Sequence, residues 1–156
     1  MASLPRRRYR RAFEPGCSIG VLTELLAPRT DSLISADFAA TAVEHAKQRL
    51  NGYPHVDIRQ LSLPTQWAEG SFDLILISEI ATYLSDHDLT TLVRKTTGCL
   101  ESGGTLMLVH FRPDTGTPHT ADQVHERFRR HPHLAQQTTH QEPDFILDVF
   151  QRLPPP

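Results

Sequence analysis

The chain has 156 residues, of which 38% are hydrophobic and 22% charged, with a formal net charge of -2. That supports one globular domain around one buried core, argues against a general nucleic-acid-binding surface, and leaves no apolar run long enough to span a membrane. Two cysteines, Cys17 and Cys99, have neither Cys-x-x-Cys spacing nor metal-ligand neighbours, so a reduced, cytoplasmic protein with no metal is expected.

Residues 1–10 form a basic lead-in. Arg6, Arg7, Arg8, Arg10 and Arg11 crowd the entry to the first strand, near Arg11, and nothing acidic offsets them before Glu14. A solvated lead-in is the expectation; a patch for an acidic substrate or nucleic acid is the alternative, though no aromatic ladder accompanies the charges. The next stretch, Ala12-Phe13-Glu14-Pro15-Gly16-Cys17-Ser18-Ile19-Gly20, ends a buried strand in a small-residue turn. It opens into Val21–Ala27, whose apolar residues keep helical spacing. Strand, glycine turn and helix form the first half of a nucleotide-binding βαβ unit, in which glycines admit a ligand close to the backbone. A second strand, Ser32–Ala36, ends in Asp37, about 20 residues past the turn, where a carboxylate can accept from both ribose hydroxyls.

A helix with apolar positions Ala39, Ala42, Val43, Ala46 and Leu50 follows, stopped by Asn51-Gly52. A third strand is expected over His55–Leu61, then a loop from Ser62 and Leu63 to Ser71. The run Phe72–Ile77 suits a strand buried on both sheet faces, with Ser78 and Glu79 at its end. Ser85 or Asp86 caps a helix to Leu100, closed by Ser102-Gly103-Gly104. Thr105–Val109 makes a fifth strand running into His110. Thr120 and Gln123 have capping-box spacing before a helix over Ala121–Arg130. Strands near Leu134–His140 and Phe145–Gln151 close the chain as an antiparallel hairpin, and Pro154–Pro156 form a tail.

The order predicts one α/β domain over residues 11–153: a Rossmann-like, doubly wound, mostly parallel sheet with a C-terminal antiparallel hairpin. In such sheets ligands bind beyond the strand C-termini. Gly16–Gly20, Asp37, Ser62, Ser78–Glu79 and His110 all fall on that edge.

Glu14-x-Gly16-x-Ser18-x-Gly20 resembles the Glu/Asp-x-Gly-x-Gly-x-Gly motif of class I S-adenosylmethionine (SAM)-dependent methyltransferases, with Ser18 in place of the central glycine. More narrowly, Glu14–Thr23, Phe72–Ile80 with Tyr83-Leu84, and Gly103–Leu106 running into Val109–Arg112 resemble three motifs of the nodulation protein S (NodS) group. The resemblance implies SAM as cofactor and S-adenosylhomocysteine as product. It has Glu14 and Gly16 shape the cofactor-binding turn, the backbone from Gly16 through Cys17 and Ser18 to Gly20 lie against the methionine and ribose parts, Asp37 on the ribose hydroxyls, Phe38 and Leu63 at the adenine, Ser62 at its amino group, and Ser78 beside the cofactor. It further implies a small-molecule amine acceptor, in NodS-like proteins the free amine of a deacetylated chitooligosaccharide. The family's helical lid ahead of the first strand has no counterpart in Met1–Arg10, so a second copy or a partner covering the site is one expectation.

Glu79 is the first candidate to steer the acceptor's proton, against a cap for the turn Ile80–Leu84. Tyr83 is a candidate for orienting the acceptor, against a rim aromatic, and His110 for base or acceptor ligand, against a satisfied buried histidine. His125 is expected on the surface, and His131 and His133 are not expected to bind metal. Two other readings stay open: a nicotinamide-dependent oxidoreductase, which would share the turn and Asp37 but should show Gly-x-Gly-x-x-Gly, and a noncatalytic remnant of the methyltransferase fold.

Overall fold

The computed structural model describes residues 1–156. The elements are β1 (Tyr9–Pro15), α1 (Val21–Leu26), β2 (Thr30–Asp37), α2 (Ala40–Arg49), β3 (Val56–Gln60), β4 (Phe72–Ser78), α3 (Asp86–Cys99), β5 (Leu100–Phe111), α4 (Ala121–Arg129), β6 (Leu134–Gln141) and β7 (Phe145–Arg152), with short 3-10 turns at Ala27–Arg29 and Ala81–Tyr83. The sheet has seven strands in the order β3-β2-β1-β4-β5-β7-β6. β1 to β5 pair in parallel, whereas β7 is antiparallel to both β5 and β6. No helix is long and apolar enough to cross a membrane.

Period-two alternation divides the core. Leu74 and Leu76 face one side of the sheet with Ala12, Leu33, Met107 and Val149, under Leu26 of α1 and the N-terminal Leu4. Ile75 and Ile77 face the other with Phe13, Ile34, Leu106, Leu108 and Phe150, under α3 and α4. β4 is thus buried on both faces, which is why its sequence is continuously apolar. α2 packs separately through Val43, Ala46 and Leu50 against Ile58 and Cys17.

Several details differ from the sequence expectation. β1 starts at Tyr9, because the Tyr9 ring is buried in the same cluster as Leu4. α3 passes directly into β5 at Leu100, whose partner on β4 is Phe72; the register then shifts before Leu74 meets Thr105. Ser102-Gly103-Gly104 therefore lies inside an irregular strand. The basic lead-in is neither a free arm nor simply solvated. Arg8 pairs with Asp31 and Arg10 with Glu101. Arg11 donates to the carbonyls of Glu69 and Ser71 and lies 4.5 Å over the Phe72 ring. The acidic partners come from distant segments, which local charge counting cannot see.

Candidate active site

Strand order reverses between β1 and β4, and a cavity of about 390 Å3 opens there at the strand C-termini, within the usual range of about 300–1,000 Å3 for small-ligand sites. Its walls are the turn after β1 (Glu14, Gly16, Cys17, Ser18, Ile19), the start of α1 (Val21, Leu22), the end of β2 (Asp37, Phe38) and the segment after β4 (Ser78, Glu79, Ile80, Tyr83).

The turn is held by the sheet. The amides of Gly16 and Cys17 both donate to the Ala36 carbonyl, at 2.7 and 2.8 Å. Gly16 has φ +83°, and a Cβ there would lie 1.9 Å from Ile80 Cγ2; both facts require glycine. Gly20 likewise has a positive φ, +84°, and a close neighbour. Its Cβ would meet Leu50 and Ala46 of α2 at 2.9 and 3.1 Å, so Gly20 lets two helices approach and does not line the cavity.

Asp37 is nearly buried. Its Oδ2 accepts from the Ser18 amide and its Oδ1 from the Ala39 amide, each at 3.0 Å. The carboxylate is thereby aimed, and each oxygen keeps a second lone pair. Ser18 (φ +50°) and Glu79 (φ +66°) are the two non-glycine residues with positive φ in the chain, and both line this cavity. Such backbone strain concentrates at functional sites.

Glu79 is not a cap: the turn Ala81–Tyr83 has no side-chain cap. Both Glu79 carboxylate oxygens instead lie within 2.8 and 3.0 Å of the Phe111 amide, so the end of β5 orients the side chain that follows β4. Phe38 and Tyr83 stand at the mouth, 74% and 69% exposed.

Glu14 forms the floor. Its register partner on β2 is Ser35. Ser35 Oγ and Thr23 Oγ1 donate to Oε1 at 3.0 and 2.5 Å. Burial pushes its carboxyl up to about 7, with the two hydroxyls opposing. Folded Glu14 thus keeps its proton between about pH 4.5 and 7 while the unfolded chain releases it, so its contribution to stability is present at low pH and lost as pH rises through 7. Glu14→Gln is expected to match the wild type in unfolding free energy near pH 4.5 and to exceed it by about 2–3 kcal/mol at pH 8, read from urea unfolding at both pH values.

Other sequence candidates fall elsewhere. Ser62 is exposed and its amide donates to Gln66 Oε1 at 2.7 Å, while Leu63 packs against the core under α3 and α4. Neither lines the cavity, although Leu61 ties their loop to the Asp37 carbonyl at 3.0 Å. His110 is fully buried beneath α4 and also lies outside the cavity walls.

His125, expected on the surface, is buried as well. His110 Nδ1 is 2.9 Å from His125 Nε2, and His125 Nδ1 is 2.8 Å from Asp148 Oδ2. Asp148 also accepts from Arg129 at 2.8 Å and from Gln136 at 2.9 Å. Burial, then His125, depresses His110 to about 3. Burial alone would raise the Asp148 carboxyl, but donors and charges led by His125 hold it below its ordinary range. The missed signal was spacing: His125 shares the stripe of Ala121, Val124 and Phe128, all buried on α4.

A larger polar cleft of about 780 Å3 runs along α4. Its arginines are already committed: Arg127 to Asp86, Arg130 to Glu126 and Arg129 to Asp148. No group of three or more His, Cys, Asp or Glu side chains could hold a metal ion, and His131 instead accepts from the His133 amide.

Comparison with known proteins places the chain in a family. Residues 2–117 match the family model for nodulation protein S (NodS). Nodulation protein S of Rhizobium tropici is 33% identical over 91 residues, 55% of this chain and 36% of that protein. The match therefore spans about a third of that relative's length. A candidate methyltransferase from Pseudomonas syringae is 41% identical with a TM-score of 0.87, over 97% of this chain and 92% of that one. The N-methyltransferase NodS of Bradyrhizobium japonicum WM9, solved with S-adenosylhomocysteine, is 25% identical with a TM-score of 0.84, over 93% and 79%.

Proposed function

The chain belongs to the nodulation protein S (NodS) family, and from that premise we propose that it is a SAM-dependent methyltransferase acting on the nitrogen of a small-molecule amine. One observation supports this above all. Three strand ends bring the Gly16–Ser18 turn, the Asp37 carboxylate and Glu79 around one cavity whose lining holds three acidic side chains and no basic residue. That lining suits a cationic adenosyl ligand.

Asp37 would hold the ribose hydroxyls, the Gly16–Ser18 backbone would lie along the chain between ribose and amino acid, and Phe38 would flank the base. SAM supplies an electrophilic methyl group on a sulfonium, and the attacking nitrogen must be neutral. Most of the acceleration then comes from holding that nitrogen in line with the methyl. Glu79, aimed by the Phe111 amide, takes or steers the departing proton. Tyr83 at the mouth gives the acceptor an amphipathic edge to rest on. A deacetylated amino sugar is the acceptor we propose first, by family analogy, and oligosaccharide biosynthesis is the setting it points to. A second copy or a partner resting on the same apolar mouth would keep water from the reaction.

The test is a calorimetric titration with SAM, expected to give one site per chain, followed by methyl transfer from labelled SAM to a panel of amines, alcohols and thiols. Amines should be methylated, and amino sugars fastest. SAM binding with no transfer to any acceptor would favour the noncatalytic reading. Glu79→Ala is expected to lower turnover by about 10²–10⁴ while leaving the SAM dissociation constant within about twofold, since the lost group acts on the proton and not on the cofactor.

A further inference from the structure

The cavity's charge pattern carries a consequence for which ligand it keeps. Glu14, Asp37 and Glu79 line it with no lysine, arginine or histidine among them. Asp37 is fixed by two backbone amides and Glu79 by one, but Glu14 is held by neutral hydroxyls alone, both on Oε1. No donor is directed at Glu14 Oε2, and Glu14 forms part of the cavity wall.

The groups facing Glu14 are few. β2 contributes Ser35 and Asp37, α1 contributes Thr23, and the turn contributes Cys17. β4 contributes Ser78 to the same cavity wall, with the ionisable Glu79 and Tyr83 just beyond. Burial first, then the charges of Glu14 and Asp37, pushes the Cys17 thiol up, so it stays neutral. No cation of the protein neutralises this floor.

We propose that Glu14 is a specificity-determining group whose proton is displaced by a cation entering the cavity, so that the sulfonium cofactor is preferred over its neutral thioether product, increasingly so as pH rises toward neutrality. Glu14 gives its proton to solvent, and the carboxylate then faces the ligand's positive charge. SAM carries a sulfonium beside its ammonium, whereas S-adenosylhomocysteine has the ammonium alone, so proton release and its pH dependence are larger for SAM. The inference rests on the cofactor assignment above. It adds that this carboxyl, by changing charge, helps expel spent cofactor. The effect fades as pH passes above about 7, where free Glu14 has already lost its proton.

Calorimetry tests it with SAM and S-adenosylhomocysteine as probes at pH 5.5, 6.5 and 7.5, each in two buffers of different ionisation enthalpy. For the wild type, SAM binding at pH 6.5 should release a measurable fraction of a proton and the product a smaller fraction. The ratio of product to SAM dissociation constants should rise about tenfold from pH 5.5 to 7.5, and Glu14→Gln should make that ratio independent of pH. Equal proton release by the two ligands, or a ratio as steep in Glu14→Gln as in the wild type, would overturn the proposal. The proton count needs only the wild type, so a misfolded variant leaves it decisive. Failure of SAM to bind at any pH would overturn the cofactor assignment itself, a different result from SAM binding without proton linkage.

Discussion

Asp148→Ala is expected to destabilise the fold by about 3–5 kcal/mol, the cost of leaving buried charge and donors without their partner, while leaving every residue of the cavity wall in place. Three side chains converge on this carboxylate from two elements. His125 on α4 donates to Oδ2, Arg129 on the last turn of α4 donates to the same oxygen, and Gln136 on β6 donates to Oδ1. Asp148 itself sits on β7 with no exposed surface. The network therefore fastens α4 and the edge strand β6 to β7, outside the parallel part of the sheet. For a chain of this size the change corresponds to a fall in melting temperature of about 10 °C, read by circular dichroism. Asp148→Asn keeps one acceptor oxygen and should recover part of the loss. Asp31→Ala, which removes the exposed partner of Arg8, serves as the control and should cost less than about 1 kcal/mol.

Two buried groups give the fold an unusual response to acid. His110 stays neutral in the folded chain down to about 3, whereas an unfolded histidine takes up its proton near 6.5. The unfolded state therefore binds the extra proton between these limits, and stability falls on acidification across that window by as much as about 1.4 kcal/mol per pH unit. Glu14 works in the opposite sense between 4.5 and about 7, because there the folded state holds the extra proton. The two slopes oppose each other from 4.5 to 6.5. Below 4.5 the histidine acts together with Asp148 and Glu69, whose carboxyls are held below their ordinary range, and stability drops. The balance is struck between a residue under the cofactor cavity and one under α4, which share no contact.

Much of this molecule is legible in sequence because its strongest signals are local. The apolar run of β4 requires burial on both faces, the Thr120–Gln123 capping box forms with both of its hydrogen bonds, and Gly16, Ser18 and Asp37 meet because a parallel βαβ unit leaves little choice. What stayed hidden depends on long-range partners. The arginines of residues 6–11 look unpaired until Asp31, Asp73 and Glu101 fold against them. Gly20 sits inside a ligand motif yet serves helix packing, since Ala46 and Leu50 arrive from α2. Glu79 follows a strand as a cap would, but Phe111, 32 residues later, claims its carboxylate. Asp148 is one acid in a strand whose neighbours say nothing of it, because its partners lie on α4 and β6.

Asp37→Ala is expected to weaken SAM binding by at least about 100-fold, roughly 3 kcal/mol, the loss of two hydrogen bonds to a charged acceptor. The carboxylate has two tasks, and a simple loss of affinity does not separate them. It would accept from the ribose hydroxyls, and it also receives the amides of Ser18 and Ala39, of which Ser18 is held at φ +50°. Removing it frees that strained turn, which could itself close the cavity. The separation comes from the ligand side. 5′-Methylthioadenosine and its 2′,3′-dideoxy analogue differ only in the hydroxyls Asp37 would hold. Against the wild type the dideoxy analogue should bind about 100-fold more weakly, and against Asp37→Ala the two should bind alike. Equal binding of the pair by the wild type would mean that the carboxylate only braces the turn, and the ribose contact would have to be sought elsewhere on the cavity wall. Persistence of the difference in the variant would place the hydroxyl contact on the Gly16–Ser18 backbone. The expected convergence ties the acid at the end of β2 to the sugar, because no change in turn geometry distinguishes two ligands that share every other atom.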